Sequence, residues 1–387
     1  METPSLLDIE RRAEAGEAAA QYALAAALAG RQQAEAARLW LERAAAQGHA
    51  DALFTLAGAV LTTTEAARER RTEAIDGLKA ARDKGSVAAL RVLAALKAAG
   101  LDGEADWPAA LSMMREAVER DDASAMRESA AILFEAGDGD AAGALLNEAA
   151  KRDALASALI ARRSHRGCAT PAGPMSIGEA LERLSKVEDR RTFEAVSDKP
   201  RVRSVRSAFG VDLCSHLIGA ALPRLRRQEV IDPGDNKSRA HPHRTAWGAG
   251  IGFGFADLPA VFAGQRMARL AGIPYSHGET LTILRYRPGE EYRPHHDFLA
   301  HDDPDLPLHG QRVRTALLYL NEDYEGGETH FLTPNLKFTG KTGDVLIFDN
   351  VDETGAPDVS ARHAGRPVIR GEKWLATLWF RDRPFAG

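Results

Sequence analysis

The sequence predicts an α+β multidomain chain, with an N-terminal α-helical solenoid and a C-terminal β-rich sandwich or barrel with flanking helices. Three observations predict it. Residues 10–160 are rich in Ala and Leu, hold few β-branched residues and repeat, which favours stacked helices. After Glu279, segments rich in apolar and aromatic residues alternate with Gly-containing turns, the pattern of strands. His295 and Asp297 lie two residues apart on one extended segment, so their side chains share a face. With 387 residues, two domains are the length expectation.

The repeat begins at Gly16, Gly48, Gly85 and Asp121, with a degenerate copy near Asp153, at intervals of 32, 37, 36 and 32 residues. Each copy is preceded by an amphipathic helix, expected over 36–46, 73–83, 108–120 and 141–152. Helix–turn–helix units at this period build solenoids. Small residues such as Ala20, Ala52, Ala89 and Ala125 let neighbouring helices approach closely, and the glycines suit helix C-termini, where a positive φ is needed. An Ala-rich helical bundle is the plain alternative. A solenoid presents a concave protein- or peptide-binding surface, or it props up or dimerises whatever follows.

Domain boundaries are expected at 1–165, 166–200 and 201–387. Arg162 to Gly167 and Pro171 to Pro174 read as a linker. A short helix is expected over 177–187, capped by Ser176. Further helices are expected over 213–225 and 257–271. Strands are expected over 280–287, 314–320, 329–332, 344–349 and 374–380. On the first of these, Leu281, Ile283 and Arg285 face one way and Thr282, Leu284 and Tyr286 the other.

Net charge is −5, with 20 basic and 26 acidic residues up to His165 and 30 basic and 29 acidic after it. No concentrated basic face suggests a nucleic-acid partner. Two cysteines, Cys168 and Cys214, imply no disulfide framework and fit a reducing compartment. No apolar run is long enough for a membrane, and the charged first residues have no apolar signal core. A cytoplasmic protein is the expectation.

His295 and Asp297 on one face, with a distant third ligand on another strand, would make a two-His-one-carboxylate triad, the signature of non-haem Fe(II) oxygenases. Many neighbouring motifs agree in order and interval. They are Leu284-Arg285-Tyr286, Pro288-Gly289, Tyr292 with His295 and Asp297, and Arg314-Thr315. Gly326-Gly327-Glu328-Thr329, Gly343-Asp344, His363-Ala364-Gly365, Lys373-Trp374 and Trp379 follow. Residues 200–387 closely resemble the catalytic domain of prolyl 4-hydroxylases. The phrase over 44–52 resembles the Sel1-like subclass of tetratricopeptide repeats.

The first resemblance implies a double-stranded β-helix, a jelly-roll relative, and an Fe(II)- and 2-oxoglutarate-dependent dioxygenase, with ascorbate as a further ligand. It implies metal ligands His295, Asp297 and His363. His295 is chosen over His296 because the family's ligand stands two residues before the Asp. Lys373 would pair with the C5 carboxylate of 2-oxoglutarate, and Tyr286 and Thr329 would share that carboxylate. Arg314 and Trp379 match positions that line the family's site. His301, Asp302, Asp303 and His309 form a rival metal-like cluster in a Pro-rich loop.

The expected activity is hydroxylation by O2 of an unactivated C–H bond, a prolyl residue of a cytoplasmic protein recruited by the repeats. The alternatives are another residue, a free amino acid or a small molecule as substrate, or a repeat-based adaptor or sensor with a vestigial oxygenase domain. No nucleic-acid or membrane partner is expected.

Overall fold

The computed structural model describes residues 5–62, 70–163, 192–231, 238–240, 244–251 and 257–385. The helix expected over 177–187 lies outside them. The chain divides into two compact units, Met1–Ala125 with Gly252–Asp257, and Met126–Ile251 with Leu258–Gly387. Among the described residues, no helix is long and apolar enough to cross a membrane.

The first unit carries α1 (Leu6–Glu14), α2 (Ala18–Gly30), α3 (Ala34–Ala46), α4 (Ala50–Thr62), α5 (Arg71–Asp83), α6 (Val87–Ala99) and α7 (Trp107–Glu119). Each packs on the next along the chain, and Leu61, Ile75, Leu78, Leu93 and Leu96 join α4, α5 and α6 in one buried cluster. The second unit holds most of α8 (Ala123–Ala136), then α9 (Gly139–Ala149) and α10 (Ala154–Arg163). One device starts the second helix of successive repeats. His49, Ser86, Asp122 and Asp153 accept the backbone N–H of Ala52, Ala89, Ala125 and Ala156 at 3.4, 3.3, 2.7 and 2.9 Å. Such caps each contribute about 1 kcal/mol. Those four alanines are 0% exposed, where a larger side chain would hold the helices apart. Just before the caps stand Gly48, Gly85 and Asp121 with φ of 79°, 101° and 65°. Asp tolerates the left-handed region better than most residues, which is why the repeat survives loss of its glycine.

The C-terminal half begins with β1 (Glu194–Asp198), β2 (Arg201–Val205), α11 (Val211–Ala221), β3 (Arg226–Arg227), β4 (Glu229–Ile231), β5 (Ser238–Ala240), β6 (Trp247–Ile251) and α12 (Leu258–Ala271). It continues with β7 (Leu281–Tyr286), β8 (Tyr292–His295), α13 (Asp305–His309), β9 (Arg312–Tyr319), β10 (Tyr324–Gly326), β11 (Thr329–Phe331) and β12 (Leu336–Phe338). It ends with β13 (Val345–Asp349), β14 (His363–Gly365), β15 (Val368–Gly371) and β16 (Lys373–Arg381). An antiparallel eight-stranded sheet runs β1-β2-β13-β9-β16-β7-β6-β3, and a four-stranded sheet runs β12-β11-β14-β8. Leu284, Tyr286, Leu317, Tyr319 and Leu375 of the large sheet pack with Phe331 and Phe338 of the small one in a single core. This is the expected jelly-roll sandwich. Lys199 and Pro200 form the turn of the β1–β2 hairpin, and α13 lies inside the stretch expected to be loop.

The other face of the large sheet is covered by α11 and α12, and α10 packs on α11. Glu135 of α8 is ion-paired with Arg266 of α12 and accepts the Gly210 N–H at 2.8 Å. Arg266 also donates to Ala208 O at 3.1 Å and lies over the rings of Phe209 and Phe262. Gly219 faces Leu155, and a β-carbon there would meet it at 2.1 Å. The last repeat helices are therefore packed within the same compact unit as the sheets.

Candidate metal centre and cosubstrate pocket

β8 and β14 are neighbours in the small sheet, with His363 directly opposite His295. Pairing thus brings the distal ligand beside the His295–Asp297 pair. His295 Nε2 lies 3.4 Å from Asp297 Oδ1, and His363 Nε2 lies 3.9 Å from Asp297 Oδ2. Among the described residues this trio is the group whose ligand atoms fall within 4.8 Å of one another. His301, Asp302, Asp303 and His309 form no such group.

Both imidazoles are turned for metal binding. His295 Nδ1 bonds Arg293 O at 2.8 Å, and His363 Nδ1 bonds Ala361 O at 3.0 Å. A carbonyl only accepts, so each Nδ1 carries the proton and each Nε2 offers its lone pair. His295 Nε2 is buried without a hydrogen-bond partner, the sign of a group awaiting a ligand. Burial, with His295 beside it, lowers His363 to about 4, so it is neutral at pH 7. Burial pushes the Asp297 carboxyl up, but His363, His295 and Arg312 outweigh it and hold the group well below the carboxylate range. Two imidazoles and one carboxylate are a fitting donor set for Fe(II). The ring of Tyr292 stacks on His295 at 3.4 Å between centroids, and Phe331 and Phe348 flank His363.

Strand parity gathers the remaining residues. Leu284 and Tyr286 on β7, Leu317 on β9, Thr329 on β11, and Lys373, Leu375, Thr377 and Trp379 on β16 all line one cavity with the triad. Lys373 stands opposite Tyr286 across the β7–β16 pair. Lys373 is 3% exposed, and its ammonium donates to Gly327 O at 2.7 Å. It makes no ion pair with a carboxylate among the described residues. Burial lowers it to about 8, opposed by Glu328. A buried cation without a carboxylate suits an incoming one. Thr329 Oγ1 is 2.8 Å from Tyr319 Oη, and Trp379 Nε1 is buried without a partner.

Arg314 is a correction. It lies on the opposite face of β9, ion-paired with Asp349 and bonded to Ala271 O at the end of α12. Its neighbour Thr315 faces the site and donates to Asp297 Oδ2 at 2.7 Å. His296 bonds Val359 O at 3.2 Å and stacks on Phe298, away from the trio. Sequence reasoning missed Thr315, Asn350 and Arg244. Arg244 also lines the cavity, 4.5 Å from the Tyr292 ring centre. Only the pairing of Arg314 with Thr315 in the motif hinted at the first of these.

Fold and site together define a non-haem iron dioxygenase of the 2-oxoglutarate-dependent class. The profile of the 2OG-Fe(II) oxygenase superfamily matches residues 281–381. Prolyl 4-hydroxylase 1 of Arabidopsis thaliana is 33% identical over 49% of this chain and 72% of its own, and prolyl 4-hydroxylase 2 of that plant is 34% identical over 52% and 74%. The chain belongs to the prolyl 4-hydroxylase family. Among solved structures, the viral collagen prolyl hydroxylase of Paramecium bursaria Chlorella virus-1, a 2-oxoglutarate complex, is similar over 48% of this chain and 98% of that one, at 24% identity and TM-score 0.36. A sel1 repeat protein from Klebsiella pneumoniae subsp. pneumoniae is similar over 47% and 91%, at 23% identity and TM-score 0.33.

Proposed function

We propose that this dioxygenase hydroxylates a prolyl residue of a protein substrate, and that its helical repeats recruit that substrate. The observation that carries the chemistry is the shared cavity, lined both by the metal trio and by the buried, carboxylate-free Lys373. His295, Asp297 and His363 would hold Fe(II), and Lys373, Tyr286 and Thr329 would hold the C5 carboxylate of 2-oxoglutarate. Bound together, iron and 2-oxoglutarate supply the oxidising power that inserts one oxygen atom of O2 into a C–H bond, with succinate and CO2 as co-products.

The protein's own residues set the conditions for that step. The Nδ1 contacts hold both imidazoles in the tautomer that ligates. Tyr292, Phe331 and Phe348 wall the centre with apolar rings, which keeps water from competing. Trp379 and Arg244 stand on the same cavity wall, where a substrate side chain would enter.

Recruitment rests on the first unit. Helices α2 to α5 enclose an apolar groove of about 760 Å³, lined by Tyr22, Leu41, Leu53, Leu56 and Val60. An open groove on stacked helices suits an extended or helical peptide. A reducing compartment, read from the two cysteines, favours a cytoplasmic substrate. The test captures proteins on the catalytically blocked full-length chain, then exposes them to active enzyme, Fe(II) and 2-oxoglutarate. Prolyl residues heavier by one oxygen, with matching succinate release, are expected. Oxidation on other residues alone would overturn the prolyl assignment.

A further inference from the structure

Asp297 is held by more than its fold position. Thr315 lies on β9 between Phe348 of β13 and Trp379 of β16 and is 0% exposed. Its hydroxyl donates to Asp297 Oδ2 at 2.7 Å, and Asn350 Nδ2 lies 2.9 Å from the same hydroxyl oxygen. Asn350 is itself 0% exposed, and its backbone is fixed on both sides: its N–H donates to Val313 O, and its C=O accepts from Asp358 N–H.

The proton directions in this chain are determined. An ionised carboxylate only accepts, and a hydroxyl has a single proton, so the Thr315 proton goes to Asp297. The Thr315 oxygen must then accept from Asn350, which orients the amide with its NH2 toward Thr315. Asn350 thereby prevents the hydroxyl from turning away. The β-branched side chain of Thr315 is stiff about χ1, so the donor arrives from one direction.

We infer that Asn350 and Thr315 are positioning residues that lock Asp297 as a one-oxygen ligand. Oδ2 already accepts the Thr315 hydroxyl, whereas Oδ1, 3.4 Å from His295 Nε2, keeps its lone pairs for the metal. A carboxylate free to swing would chelate through both oxygens and close a position that 2-oxoglutarate or O2 needs. The inference rests on the metal reading above and adds two residues that touch no metal, cosubstrate or substrate.

The test uses Co(II), a visible-absorbing stand-in for Fe(II), titrated into the full-length chain. The wild type is expected to take up one Co(II). Thr315→Val keeps the shape and loses the donor, and Asn350→Ala frees the hydroxyl to rotate. Each is expected to weaken Co(II) binding roughly 10- to 100-fold, the usual range for removing a ligand's supporting contact, and to change the d–d band position and intensity. Thr315→Ser, which restores the hydroxyl, is expected to recover most of both. Wild-type affinity and an unaltered spectrum in Thr315→Val would overturn the inference. Absence of Co(II) uptake by the wild type would instead overturn the metal reading beneath it. Should Thr315→Val not fold, Asn350→Ala against the wild type decides by the same two readouts.

Discussion

Glu135 and Arg266 form a buried ion pair, with side chains 4% and 0% exposed, between a repeat helix and the helix that backs the central strands of the oxygenase sheet. Breaking a buried pair by removing one partner leaves a charge stranded, at a cost of about 3–5 kcal/mol. Glu135→Ala is therefore expected to lower the denaturation midpoint sharply, as read by circular dichroism. A chain starting at Asp198 loses Glu135 and the α10–α11 packing, and is expected to be unstable or insoluble. A chain starting near Asp121, which keeps the Asp122 cap, is expected to fold. A stable, active protein starting at 198 would show that the last repeats are dispensable.

His295→Ala and Asp297→Ala are each expected to abolish succinate formation and leave the thermal midpoint near the wild-type value. His296→Ala removes the contact to Val359 O and the stacking on Phe298, and is expected to keep most of the turnover. Equal loss in all three variants would return the choice of ligand to His296.

Lys373→Ala is expected to raise the KM for 2-oxoglutarate by roughly two to nearly four orders of magnitude, because a desolvated carboxylate would lose its cation at about 3–5 kcal/mol. Metal uptake should be unchanged. An unaltered KM would place the carboxylate anchor elsewhere.

The same lysine sets a pH limit. Its folded value of about 8 lies below the ordinary 10.5. The unfolded chain therefore holds more protons between these values, and stability of the cosubstrate-free protein rises with pH across that window. Carboxylate binding does the reverse, because it needs the cation. KM for 2-oxoglutarate should be flat below about pH 8 and climb roughly tenfold per unit above it. A flat profile to pH 10 would mean that Lys373 stays charged there.

Arg314→Ala is expected to act on stability and not on cosubstrate. It removes the contacts to Asp349 and Ala271 O, and should cost about 1–3 kcal/mol with the KM for 2-oxoglutarate near wild type. A KM effect as large as that of Lys373→Ala would place Arg314 at the cosubstrate after all.

Several features were legible in the chain because they are local or periodic. The repeat units follow from small residues, caps and positive-φ positions at fixed offsets, all within a few residues of one another. The nearness of His295 and Asp297 follows from their spacing, although β8 ends at His295 and Asp297 stands in the bend just after it. The prolyl 4-hydroxylase resemblance supplied the distal histidine, which spacing alone did not select.

Tertiary structure decided the rest. On β9, Ala316, Leu317, Leu318 and Tyr319 are all buried, because one face meets the small sheet and the other meets α12. A strand covered on both sides shows no alternation in its sequence, so nothing in the chain said whether Arg314 or Thr315 faced the iron site. The support of Asp297 by Asn350 through Thr315, and the joining of Glu135 to Arg266, depend on residues far apart in sequence that touch only after the sheet closes and the helices pack. Local chemistry wrote the His295–Asp297 pair and the repeats into the sequence; which buried face each strand residue took, and where the compact units divide, were settled by packing.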